Sequence, residues 1–189
     1  MATRLVLIRH GRSAHARPAG WLDRAGVADW RVACDAAGIA AADTPPPRLV
    51  AMAATADRIF ASDLARALAS AERLAPLRAI EVSPLLRETP LPIPRLPAAL
   101  PWTVWETLIH LRWGVRIVMG AEAAPAEVAR AAAAAAWLND AVTGHMTGLV
   151  VTHGVFRRLL GRQLVAHGWR SLTWLRPYHP WSLWVFQRG

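Results

Sequence analysis

Two segments of the chain close in the same way: Leu7-Ile8-Arg9-His10-Gly11 and Val150-Val151-Thr152-His153-Gly154. In each, a short apolar run stops at a histidine followed by glycine. One such histidine reads as an ordinary structural residue. Two at matching positions point to chemistry, because sheets present ligand-binding groups at the carboxyl ends of their strands. An imidazole placed there can act as a nucleophile, shuttle a proton or donate to an anion. Arg9 adjoins the first histidine, and Arg66 follows a Ser62-Asp63-Leu64-Ala65 stretch. Forked guanidinium donors match the oxygens of a phosphate group. Glu88, in Leu86-Arg87-Glu88, is a carboxyl placed just beyond a third apolar run, and suits a general acid and base.

The elements that position these groups are predicted from periodicity and breakers. Strands are expected at Arg4 to Arg9, Arg58 to Ala61, Ala79 to Val82, Leu149 to Thr152 and Ser182 to Phe186. Helices are expected from Asp23 to Ala37, from Ser62 as N-cap through Leu74, from Trp102 to Met119, from Pro125 to Val142 and from Val155 to Ala166. Ala42 to Leu49, with Pro45, Pro46 and Pro47, reads as a loop before one or two helical turns over Val50 to Thr55; Pro90 to Pro101 is a second Pro-rich loop. In Trp102 to Met119 the apolar stripe is Val104, Leu108, Leu111, Val115 and Val118, with Trp105, Arg112 and Arg116 on a second face. Strands alternating with helices imply one α/β domain over residues 1–189, an α/β/α sandwich with a mostly parallel sheet covered on both faces.

Arg9-His10-Gly11 with Ser13, Ser62-Asp63-Leu64-Ala65-Arg66-Ala67, Leu86-Arg87-Glu88 and Thr152-His153-Gly154 resemble, in order, the motifs of the histidine phosphatase superfamily, the phosphoglycerate mutase-like branch with an Arg-His-Gly signature. The resemblance spans nearly the whole chain. It implies a phosphoglycerate mutase-like fold and a covalent phosphohistidine route, with His10 as nucleophile, Glu88 as acid and base, and His153 as a cationic donor. Arg9, Arg66, Ser13, Gly11 and Gly154 would bind phosphate, and Glu106 or Asp23 could replace Glu88. No metal or cofactor is implied. The substrate would be a phosphorylated small molecule or a phosphoprotein. Where the family often has an asparagine after the serine, this chain has Ala14, His15 and Ala16. The stretch from Glu88 to His153 is shorter than in the mutases, which favours a phosphatase. Loss of Glu88's role would leave a phospho-ligand-binding module instead.

Composition narrows the alternatives. The net charge of +9 would suit nucleic acid, but all 22 basic residues are arginine and are dispersed, without an aromatic platform. After Asp140 there is no acidic residue, so that end is expected to carry positive potential. Charges interrupt every apolar stretch, and the apolar run before Arg9 is only the four residues Leu5 to Ile8, so neither a membrane span nor a secretory leader is expected and the location reads as cytoplasmic. The lone Cys34 cannot form an internal disulfide and reads as a small core residue.

Overall fold

The computed structural model describes residues 2–121, 123–173 and 177–189. Four strands, β1 (Thr3–Arg9), β3 (Arg58–Ser62), β4 (Glu81–Ser83) and β6 (Thr147–Thr152), run parallel in the order β4-β3-β6-β1; β8 (Leu183–Arg188), antiparallel to β1, and the short β7 (Arg170–Ser171), antiparallel to β8, extend that sheet. Two further short strands, β2 (Trp21–Leu22) and β5 (Leu100–Pro101), pair with each other. The helices are α1 (Arg24–Ala36), α2 (Pro47–Thr55), α3 (Ala65–Leu74), α4 (Trp102–Val118), α5 (Pro125–Ala141) and α6 (Phe156–Ala166), with a 3-10 turn at Pro84–Leu86.

Strand β1 shows why the sheet is covered twice. Leu5 and Leu7 join a core with α5 and α6 through Ala131, Leu138, Phe156 and Leu160. Val6 and Ile8 join a core on the other face with α2 and α3 through Leu49, Ala53, Ala67 and Leu74. Alternate residues of a strand point to opposite faces, so a strand apolar at every position belongs in the middle of a sandwich. This is the α/β/α architecture expected. A third, smaller core joins Val27 of α1 to Trp102, Trp105 and Ile109 of α4.

Four local expectations are corrected. Pro47 stands in the first turn of α2 instead of ending a loop, a position where its missing N–H costs nothing. Ser62 is the last residue of β3, and Leu64 precedes α3 in extended conformation. In α1 only Val27 is buried, and Val32 is 71 % exposed. In α4 the predicted stripe is turned outward: Val104, Leu111, Val115 and Val118 are exposed, while Trp102, Trp105 and Ile109 are buried. Tryptophans remove more area from water per residue than the valines do, so they decide which face packs. Trp105 also donates from Nε1 to Leu22 O at 2.8 Å. No helix among the described residues is long and apolar enough to cross a membrane.

The central strand β6 has no room for a methyl group at Gly148. A Cβ there would lie 2.7 Å from Val142 Cγ2 and 2.9 Å from Leu5 Cδ2. Gly148→Ala is expected to lower stability by about 1–3 kcal/mol through overpacking. Gly114 in α4 has nothing within 4 Å of the same added atom. There Gly→Ala should stabilise by about 0.5–1 kcal/mol, because alanine is the better helix former. Urea unfolding of the two variants should therefore show shifts of opposite sign, and a shared sign would contradict the packing described.

Candidate active site

The strand register brings the two histidines together. In adjacent parallel strands β1 and β6, Arg9 lies opposite Thr152, so the next residues, His10 and His153, leave the sheet side by side. Their ring centroids are 5.0 Å apart. The backbone continues the pairing for one residue more, with His10 N donating to Thr152 O at 3.0 Å.

His10 is 7 % exposed. Its Nδ1 lies 2.6 Å from the carbonyl oxygen of Gly11, which can only accept, so Nδ1 carries the proton. Nε2 is thereby left with a lone pair, and it accepts from Arg66 Nε at 3.2 Å. Burial foremost, then the positive charges of Arg66, Arg9 and Arg157, push the His10 pKa down to about 3. His153 is fully buried and is also held well below the ordinary imidazole value, by burial and then by its neighbours His10, Arg66, Arg9 and Arg130. Both rings are therefore neutral near pH 7, against the expectation of a cationic His153.

These shifts make a signed prediction. Between about pH 6.5 and pH 3 the unfolded chain takes up a proton at His10 that the folded protein does not. Stability from this group is complete above the unfolded value and is lost as pH falls through that window, by up to about 1.4 kcal/mol per pH unit, with His153 acting in the same direction. The urea midpoint should fall between about pH 7 and 5, and less steeply in His10→Asn. A midpoint unchanged over that range in the parent protein would contradict the buried, neutral imidazoles.

Arg66 is buried at the start of α3, and besides His10 its guanidinium donates to Cys34 O at 3.0 Å and pairs with Asp35 at 2.8 Å. Cys34 is half-buried beside this cluster and lines the cavity, so it is no core residue. Arg9 Nη1 donates to Tyr178 O, and its Nε is buried without a partner among the described residues. Glu88 Oε1 accepts from Phe156 N at 2.8 Å and Thr89 N at 3.0 Å, while Oε2 lies 3.4 Å from Val155 N. The carboxyl therefore sits on the amide end of α6. Arg130 of α5 holds that turn by donating to Leu85 O, Arg87 O and Glu88 O, and Thr152 Oγ1 donates to Leu86 O at 2.7 Å. Glu106 pairs with Arg17, and Asp23 caps α1 at Gly26 N, so Asp23 is already committed.

Arg9, Arg66, Glu88 and Gly154 line one cavity of about 390 Å³, with side chains from α1 and α4; His10 and His153 are not in its wall, and His10 meets it only through Arg66, whose Nε donates to His10 Nε2. Two predicted phosphate ligands do not face it. The Gly11 amide donates to Ser70 Oγ at 2.9 Å. Glycine is needed there for room, since a Cβ would fall 2.4 Å from Asp43 Oδ2 and 2.6 Å from the Trp181 ring. Ser13 Oγ accepts from His15 N and neighbours Cys34 Sγ, outside the cavity wall.

Sequence reading missed two residues that shape the site. Ser62 Oγ accepts from Leu64 N at 3.3 Å and lies 2.9 Å from His153 Nε2. Arg157, counted among the basic residues of a positive C-terminal end, is fully buried. It donates to Ser182 O, Ser182 Oγ and Pro177 O, and stacks on Trp184 at 4.6 Å. Burial, then Arg9, lower its pKa to about 10. No signal distinguished it from the surface arginines that surround it in sequence. Of the other groups at that end, Arg176 lies outside the described residues. Among the described residues no three His, Cys, Asp or Glu side chains cluster as metal ligands.

Comparison with known proteins agrees with this fold. A mycobacterial hydrolase covers 99 % of this chain and 91 % of its own at 20 % identity and a TM-score of 0.59. A mycobacterial glucosyl-3-phosphoglycerate phosphatase covers 88 % and 81 % at 20 % identity and a TM-score of 0.56. A phosphoserine phosphatase from Entamoeba histolytica, solved with phosphoserine, covers 86 % and 80 % at 17 % identity and a TM-score of 0.50. At these identities the likeness is one of fold. No curated protein matches the chain. The model of the histidine phosphatase superfamily, branch 1, matches residues 5–188, and the chain belongs to that family.

Proposed function

We propose that the protein is a phosphatase that hydrolyses a phosphate monoester through a covalent phosphohistidine on His10. The observation that carries this reading is the His10 ring: its proton is fixed on Nδ1 by Gly11 O, and its Nε2 lone pair lies against Arg66, which itself lines the cavity. Nε2 attacks phosphorus while the bond to the ester oxygen breaks, and Glu88, carrying a proton, transfers it to the departing alcohol. Water then attacks phosphorus and gives a proton to Glu88 as the N–P bond breaks and its electron pair returns to Nε2. The net reaction is ester plus water to alcohol plus phosphate. Arg9 and Arg66 face the phosphoryl oxygens in place of a metal ion, and charge concentrated in a dry site acts strongly.

His153 contributes a donor. A Ser62 hydroxyl that accepts from Leu64 N has its own proton to give to His153 Nε2. The ring proton then stands on Nδ1, which is buried without a partner among the described residues. The substrate is a phosphorylated small molecule or phosphoprotein, as with the phosphoserine bound by the Entamoeba histolytica enzyme and the phosphate bound by the mycobacterial glucosyl-3-phosphoglycerate phosphatase.

One observation favours a second reading, a module that binds phosphorylated ligands without turning them over: Glu88 is already held by amides at the start of α6. Incubation with an aryl phosphate and a chelator over about pH 5 to 8, with vanadate as inhibitor, separates the two. Turnover blocked by vanadate supports the phosphatase. Vanadate binding without turnover supports the module.

A further inference from the structure

Beyond the phosphate end, the cavity is walled by Trp30, Trp102, Trp113 and Tyr178. Trp30 lies 4.2 Å from Trp102 at 49°, and Trp113 meets Tyr178 edge-on at 6.3 Å. The charges of this outer region are Asp35, Glu106 and Arg31. Arg31 already donates to Leu91 O and faces Asp35, and Asp35 pairs with Arg66. Glu106 pairs with Arg17, so none of the three is uncommitted, and this outer region offers no free charge partner to a charged alcohol among the described residues. The volume of about 390 Å³ is more than a phosphorylated three-carbon acid fills.

Resting on the phosphatase reading, we infer that the substrate is a monophosphate ester whose alcohol carries a neutral planar ring, as a nucleoside does. The ring stacks among the tryptophans. Adenosine 5′-monophosphate and ribose 5-phosphate test this, because both release a primary alkoxide and only one brings a ring. With chelator present, kcat/KM should be about tenfold to a hundredfold higher for the nucleotide, the range that base stacking on aromatic side chains supplies. 3-Phosphoglycerate should be the poorest of the three. Trp113→Leu should pull the nucleotide-to-ribose ratio several-fold toward one, mainly through KM. Equal or reversed preference for ribose 5-phosphate or 3-phosphoglycerate overturns the inference while leaving the phosphatase reading intact. If no ester is hydrolysed, the phosphatase reading fails and tryptophan fluorescence decides the rest. Quenching by the nucleotide but not by ribose 5-phosphate upholds the ring site; equal quenching, or none, overturns it.

Discussion

His10→Ala is expected to lower kcat toward an aryl phosphate on the order of 10⁴-fold or more, the scale seen when a covalent nucleophile is removed. Arg66 and Arg9 remain, so inorganic phosphate and vanadate should still bind. The fold should persist as well, because His10 closes β1 through its backbone N–H to Thr152 O, which alanine keeps. Arg66 loses its acceptor at Nε2 but retains Asp35 and Cys34 O. A large loss of turnover with binding and melting temperature nearly preserved is thus specific to the nucleophile. Comparable turnover in His10→Ala would remove the imidazole from the reaction, whatever the geometry suggests.

Glu88→Gln should have the second largest effect, a fall in kcat of about 10²–10⁴-fold, the usual contribution of a general acid and base. Glutamine makes the sharper test than alanine. Its amide oxygen can still accept from Phe156 N and Thr89 N, so the start of α6 keeps its partner. What it cannot do is transfer a proton to the leaving oxygen. An aryl ester with an acidic leaving phenol should therefore lose less than an alkyl ester in Glu88→Gln, since a good leaving group needs less protonation. If Glu88→Gln hydrolyses both as the parent does, Glu88 is a helix cap only, and another group moves the proton. Glu106 is then the next candidate, because it lines the cavity whereas Asp23 is committed to capping α1.

The strand ends were legible for a simple reason. Buried parallel strands are apolar at every position and stop where polar ligand groups begin, so Arg9-His10 and Thr152-His153 stand out against Leu5 to Ile8 and Leu149 to Val151. Their adjacency was not legible, because it depends on β6 pairing directly with β1 across a long sequence separation. Ser62 reads equally as a helix cap or a strand end, and only the extended conformation at Leu64 decides between them. The outer face of α4 misled for a different reason. A regular spacing of valines and leucines outscores Trp102, Trp105 and Ile109 in a periodicity count, yet the indole rings bury more surface. Arg157 shows the limit of charge counting: an arginine in the core carries its partners as carbonyls, which no composition records. Gly11 was recognised as necessary but for the wrong contact, since what it avoids is Trp181 and Asp43.

The most direct test of the account is to mix enzyme with a labelled aryl phosphate, quench within the first turnovers in alkali, and map any protein-bound phosphate. The expected label survives base, is lost in acid and lies on the peptide containing His10, absent from His10→Ala and longer-lived in Glu88→Gln. Steady hydrolysis with no bound phosphate at any quench time, or a label on a residue other than His10, would contradict it.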